Sequence, residues 1–195
     1  MNKNKNVFIL RNLRTALFLG AFLPSHLLAA ENTVAPLQYS DFFWGYSGGW
    51  GAPYGLGLQT GYLINNQFDI NVGTGFGLSG AKIGVGSRLY LNPERKVTPF
   101  FGLNYVLSSS SNLTVADEDQ ITEYRLTSNT VLHLRAGVKA TFTNWEVFGV
   151  FGYGYARNKP GYEHVAGNAT DFSEKFARNL AAGGYEASMV FLTRY

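Results

Sequence analysis

From about residue 53 to the end of the chain, apolar side chains recur at every second position, the period of a β-strand with two unlike faces. Phe68, Ile70, Val72, Thr74, Phe76 and Leu78 share one face, while Asp69, Asn71, Gly73, Gly75 and Gly77 share the other. The following stretch repeats the pattern: Ala81, Ile83, Val85, Ser87, Leu89 and Leu91 oppose Lys82, Gly84, Gly86, Arg88 and Tyr90. A two-residue turn at Ser79-Gly80 predicts Leu78 opposite Ala81, Phe76 opposite Ile83 and Thr74 opposite Val85, with the apolar faces coinciding. Leu132, Leu134, Ala136, Val138, Ala140 and Phe142 alternate with Val131, His133, Arg135, Gly137, Lys139 and Thr141 in the same way. A turn at Thr143-Asn144 then places Phe142 beside Trp145 and Ala140 beside Val147. Further strands read as 53–64 with Tyr54 outward, 97–108, 145–157 and 181–195. A first strand over 37–47 is interrupted by Asp41, but it completes the even number that a closed membrane barrel of this type needs.

The composition of the two faces decides what each meets. The apolar face lasts about ten to twelve residues on each strand, and the opposite face carries Gly, Asn, Gln, Thr and charge. A dry sandwich core would reverse this, whereas a barrel holds the polar face as a lumen and turns the apolar band to lipid. Outward aromatics gather toward strand ends, with Tyr62, Phe68, Phe101, Phe142, Trp145 and Tyr195 at one rim and Tyr54, Phe76, Tyr105, Tyr153, Tyr155 and Tyr185 at the other. Connections are short at 65–66, 93–96 and 143–144 and long at 109–129 and 158–180, as expected for periplasmic turns and external loops. The expected fold is therefore all-β, a transmembrane antiparallel up-and-down barrel of about eight strands.

The start of the chain supplies an address for such a barrel. Lys3, Lys5, Arg11 and Arg14 precede the apolar run TALFLGAFLPSHLLAA, which predicts a secretory signal over 1–30 with cleavage after Ala30 and a barrel domain over 31–195. The formal charge of +3 resides in that leader: without it, 12 bases face 13 acids, so no basic patch for nucleic acid is expected. Cysteine is absent, which excludes disulfides, thiol nucleophiles and thiolate metal sites.

At the other end Tyr185, Ala187, Met189, Phe191, Thr193 and Tyr195 alternate and stop on an aromatic residue. This resembles the C-terminal strand of bacterial outer-membrane barrels, and together with the leader and strand count the chain resembles the small eight-stranded OmpA-like and opacity-like group. The resemblance implies a Gram-negative outer membrane, contact with its lipid and lipopolysaccharide, and recognition of the last strand by the outer-membrane assembly machinery.

Within the lumen the sequence places Asp69, Lys82, Arg88, His133, Arg135, Lys139, Glu146, Glu186 and Arg194 on one face. In the predicted register Asn71 faces Arg88 with Asp69 one diagonal step away, and Thr141 faces Glu146 with Lys139 diagonal to it. Pairs drawn from Asp69, Arg88, Lys139, Glu146, Arg135 and Glu186 are expected to be structural rather than a gate or proton relay. Inward glycines, among them Gly57, Gly61, Gly73, Gly75, Gly84 and Gly86, leave one wall without bulk. Phe100, Phe148 or Tyr90 reaching across would fill it, and a small apolar ligand or lipid tail is the alternative.

Catalytic signals are thin. His164 with Glu163, Asp171 and Ser173 could in principle form an acyl-transfer set, as lipid A-modifying enzymes on eight-stranded barrels exist, but the His-x-Ser pattern of the deacylase family is absent. Asp117, Glu118, Asp119 and Glu123 lack calcium-loop spacing and read as a solvated tip. The expectation is a non-enzymatic barrel without metal or cofactor, acting structurally or through its long outer loops, whose partner the sequence leaves unnamed.

Overall fold

The computed structural model describes residues 41–117, 120–157 and 161–194, so the predicted leader, residues 37–40 and Tyr195 lie outside the described residues. Alternation produces eleven strands among them: β1 (Phe42–Trp50), β2 (Leu56–Asn65), β3 (Phe68–Gly77), β4 (Gly80–Tyr90), β5 (Val97–Ser108), β6 (Ser111–Asp117), β7 (Gln120–Leu126), β8 (Asn129–Thr141), β9 (Trp145–Ala156), β10 (Tyr162–Gly167) and β11 (Gly183–Arg194). One helix, α1 (Asp171–Ala182), precedes the last strand. Eight strands close into an antiparallel barrel in the order β1-β11-β9-β8-β5-β4-β3-β2, and β10-β7-β6 form a separate three-stranded sheet. The ring closes where Phe43 through Trp50 pair with Arg194 through Ala187, leaving the barrel without an edge strand.

The faces follow the sequence, but the β3–β4 register does not. Phe76 pairs with Ala81, Thr74 with Ile83 and Val72 with Val85, two residues from the expected partners. The turn residues are Leu78 and Ser79, and Gly80 stands at φ +95°, a left-handed value glycine reaches without a Cβ clash. A slip of two leaves every side chain on its face, which is why the hydrophobic pattern alone is blind to it. The turn at 143–144 forms as expected: Ala140 pairs with Val147, and the Phe142 and Trp145 rings stack at 4.1 Å.

Two strand starts also differ. β1 begins after Asp41, whose carbonyl accepts from the Leu63 amide at 2.7 Å and whose carboxylate accepts from the Tyr62 hydroxyl at 3.0 Å. The acid that interrupts the alternation thus sits at the rim. β2 begins only at Leu56, because Gly55 adopts φ +64° in the preceding turn. That break in period turns Tyr54 inward, 1% exposed, where an outward rim position was expected.

The interior is filled in layers. Toward the end that carries the short turns, Phe43, Tyr90, Phe100, Phe148, Val150, Val190 and Leu192 form an apolar cluster. Above it Tyr54 occupies space that the inward glycines leave open: a Cβ on Gly73 would lie 2.4 Å from the Tyr54 ring. Tyr54 donates to Asn71 Oδ1 and accepts from Asn104 Nδ2, both at 2.9 Å. The wall that the inward glycines leave bare is filled by Tyr54 at Gly73, Phe43 at Gly61 and Asn104 at Gly86, and not by Tyr90, Phe100 and Phe148, which pack together in the apolar cluster below.

Gly73→Ala should therefore destabilise the barrel by about 1–3 kcal/mol through overpacking. Urea unfolding in lipid vesicles measures it, and the cost should shrink in a Tyr54→Ala background because the two residues share one space.

Candidate functional site

The lumen gathers the charges that the alternation turned inward. Asp69 pairs directly with Arg88 across β3 and β4, the two-residue register shift having replaced the diagonal approach with a facing one. Arg88 Nε donates to both Asp69 oxygens at 2.9 and 3.1 Å, and the Tyr90 hydroxyl donates to the same carboxylate. Both side chains are essentially excluded from solvent. Among the described residues the Arg88 Nη2 has no hydrogen-bond partner, but its guanidinium lies 5.0 and 4.6 Å from the ring centres of Phe43 and Phe148. Those π-faces offset part of the missing bond.

A second group forms on β8, β9 and β11. Glu146 accepts from Lys139 and from Arg194, each at 3.1 Å, and the Lys139 ammonium lies 4.4 Å from the Tyr90 ring centre. Higher in the lumen Arg135 reaches Glu186 at 2.8 Å and Asn104 Oδ1 at 3.1 Å, while Ser188 donates to Glu186. The structure thus brings together Asp69 with Arg88 and Lys139 with Glu146 on adjacent strands, and Arg135 with Glu186 across the intervening β9. A charge removed from water is tolerable only with such partners, which these pairs supply.

Sequence reasoning missed Tyr54, Asn104 and Ser188, which bridge these pairs. The inward direction of Asn104 and Ser188 follows from period on β5 and β11, whereas Tyr54 is turned inward by the break at Gly55, and nothing local marks any of the three as network members.

The expected outer loops are folded elements. β6 and β7 form a hairpin within 109–129, and β10 and α1 occupy 158–182. Leu113, Val115, Tyr124 and Leu126 point from the sheet to Ala177 and Ala181 of the helix, giving this cap its own core. Thr170 caps α1 by accepting from the Ser173 amide, and Asp171 and Glu174 sit in the first turn, where they complement the helix dipole. Arg178 and Tyr162 bind the exposed Glu174 carboxylate and hold it below its ordinary pKa. Asp117 accepts from the Thr170 hydroxyl, so this acid is a cap contact and not a free tip; Glu118 and Asp119 lie outside the described residues.

The acyl-transfer set is not assembled. Ser173 is buried and bonded to Thr170 and Tyr124, whereas His164 is exposed on β10 with its ring against Tyr124. Among the described residues no cluster of three His, Asp or Glu side chains is disposed to hold a metal. Of the interface aromatics, Tyr62 and Trp145 are exposed on the outer wall and Phe68 is half-buried there.

No protein-family model matches the chain, and no curated protein matches its sequence. Among solved structures, similar ones include the N-terminal β-barrel domain of Pseudomonas aeruginosa OprF, at TM-score 0.49 and 14% identity over 81% of this chain and all of that one. Acinetobacter baumannii CarO gives 0.49 and 12% over 85% of this chain and all of its own, and Neisserial surface protein A gives 0.46 and 14% over 82% and all. At these values the closed strand order and register, not the likeness, carry the description of the fold.

Asp69→Ala should cost about 3–5 kcal/mol, because it leaves Arg88 buried and unpaired. The double change Asp69→Leu with Arg88→Met should recover much of that loss in the same urea-unfolding measurement.

Proposed function

We propose that this chain is an integral outer-membrane barrel, exported by its N-terminal signal, whose role is structural or a surface interaction made by its folded outer cap and not catalysis. The observation that carries the reading is the outer wall. Large apolar side chains stand exposed on all eight barrel strands, including Val72, Val85 and Leu134 at 51, 54 and 59%. Water would not tolerate so continuous an apolar band, and hydrocarbon requires the closed backbone hydrogen bonding that accompanies it. The cap lies on the side of the long connections, which supports reading that side as external and the wall as the surface that meets outer-membrane lipid and lipopolysaccharide. The alternating last strand is the surface offered to the assembly machinery. A second reading, a small ligand in the lumen, is favoured by one cavity of about 80 Å³ beneath the cap.

Replacing Val72, Val85 or Leu134 by Arg should cost roughly 2–4 kcal/mol if each faces mid-bilayer. Spin labels at the same positions in vesicles should be quenched by lipid-soluble and not by polar agents; the opposite pattern would sink the membrane assignment. The braced lumen predicts no general porin activity, so planar-bilayer recordings of the purified monomer should show small or rare openings. Stable large conductance would refute the plugged interior.

A further inference from the structure

The cavity beneath the cap has a charge imbalance on its floor. It lies between the tips of the β1–β2 and β3–β4 hairpins and the underside formed by Leu126 and Ala181, and its inner wall includes Lys82, Ser108 and His133. Each inward carboxylate of the barrel is already engaged: Asp69 by Arg88, Glu186 by Arg135, and Glu146 by both Lys139 and Arg194. Lys82 has no carboxylate within ion-pairing distance among the described residues. Its ammonium donates once, to the Ala52 carbonyl at 3.1 Å, which leaves two of its three protons uncommitted.

Two further groups at this cavity are uncommitted. Ser108 is the register partner of Lys82 on β5, so both side chains stand on the same face. Its hydroxyl, 8% exposed as a residue, makes no hydrogen bond among the described residues. His133 is 2% exposed, its Nδ1 lacks a hydrogen-bond partner among the described residues, and Glu186 is 3.9 Å away, beyond bonding distance. An ammonium, a hydroxyl and an imidazole thus line one pocket without a common acceptor, in an interior where bases outnumber acids. Buried donors in that condition call for an acceptor carrying negative charge.

We propose that the cavity is a binding site for a small oxyanion, the carboxylate or phosphate class, with Lys82 supplying the charge and Ser108 and His133 the directional bonds. The cavity, about 80 Å³, has room for one such group. The source is either a free ion or the terminal group of a larger molecule, such as a lipid headgroup entering between the hairpin tips. The site does not depend on the membrane reading, because it is formed by the lumen and the cap alone.

The test is titration of the folded protein in non-ionic detergent with inorganic phosphate and with acetate, followed by NMR of Lys82, Ser108 and His133 and by the apparent unfolding midpoint. Saturable shifts confined to these residues and a rising midpoint are expected. Lys82→Met should weaken binding about tenfold or more, since it removes a charge-assisted hydrogen bond. Ser108→Ala should weaken it less, and provides the comparison if Lys82→Met does not fold. Lys175→Met, on the exposed face of α1, should leave binding unchanged. A short-chain phosphatidate tested beside phosphate separates the sources: tighter binding of the lipid assigns the headgroup, binding of phosphate alone assigns the free ion. Absence of saturable shifts in the unsubstituted protein, or equal affinity in Lys82→Met, overturns the site.

Discussion

The pairing of β11 back onto β1 is the constraint from which the other features follow. An open eight-stranded sheet would present two edges of unpaired amides and carbonyls, and its apolar face would have to find a second layer. Closing the ring removes both edges and turns that face outward on every strand at once. The same closure gathers the polar positions of eight strands into a space no wider than their side chains. What the interior contains is then a matter of packing and charge pairing, not of transport width.

That narrow space explains why aromatic rings and ion pairs occur together. Arg88 lies between the Phe43 and Phe148 rings while bonded to Asp69, and Lys139 lies over Tyr90 while bonded to Glu146. A ring next to a buried cation contributes both volume and a favourable field, so one side chain closes the lumen and compensates a charge. The glycines opposite are the complement of this bulk. Where Gly73 and Gly137 lack a side chain, Tyr54 and Phe100 stand in their place.

The cap applies the same economy outside the barrel. A long polar loop would add conformational entropy without packing, whereas β6, β7, β10 and α1 bury a small core of their own. The helix ends at Gly183, where φ +95° lets the chain turn directly into β11. The cap is therefore joined to the closing strand by a helix terminus, and its underside shapes the cavity over Lys82.

Strand faces, strand number in the barrel and the 143–144 turn were legible in the sequence, because each rests on local period or on a few neighbouring residues. The inward grouping of Asp69, Arg88, Arg135, Lys139, Glu146 and Glu186 was legible for the same reason. Period two records which face a residue occupies but not its partner, so the two-residue slip that sets Asp69 opposite Arg88 appears only in the assembled sheet. Tyr54 turned inward because Gly55 broke the period just before β2, and Asn104 joined Arg135 because β5 and β8, separated in sequence by the β6–β7 hairpin, pair directly as neighbours in the barrel. The cap was hidden in the same way: its alternation is short and its apolar face is completed only by α1, some fifty residues further on, so tertiary contact rather than local pattern decided that these connections fold.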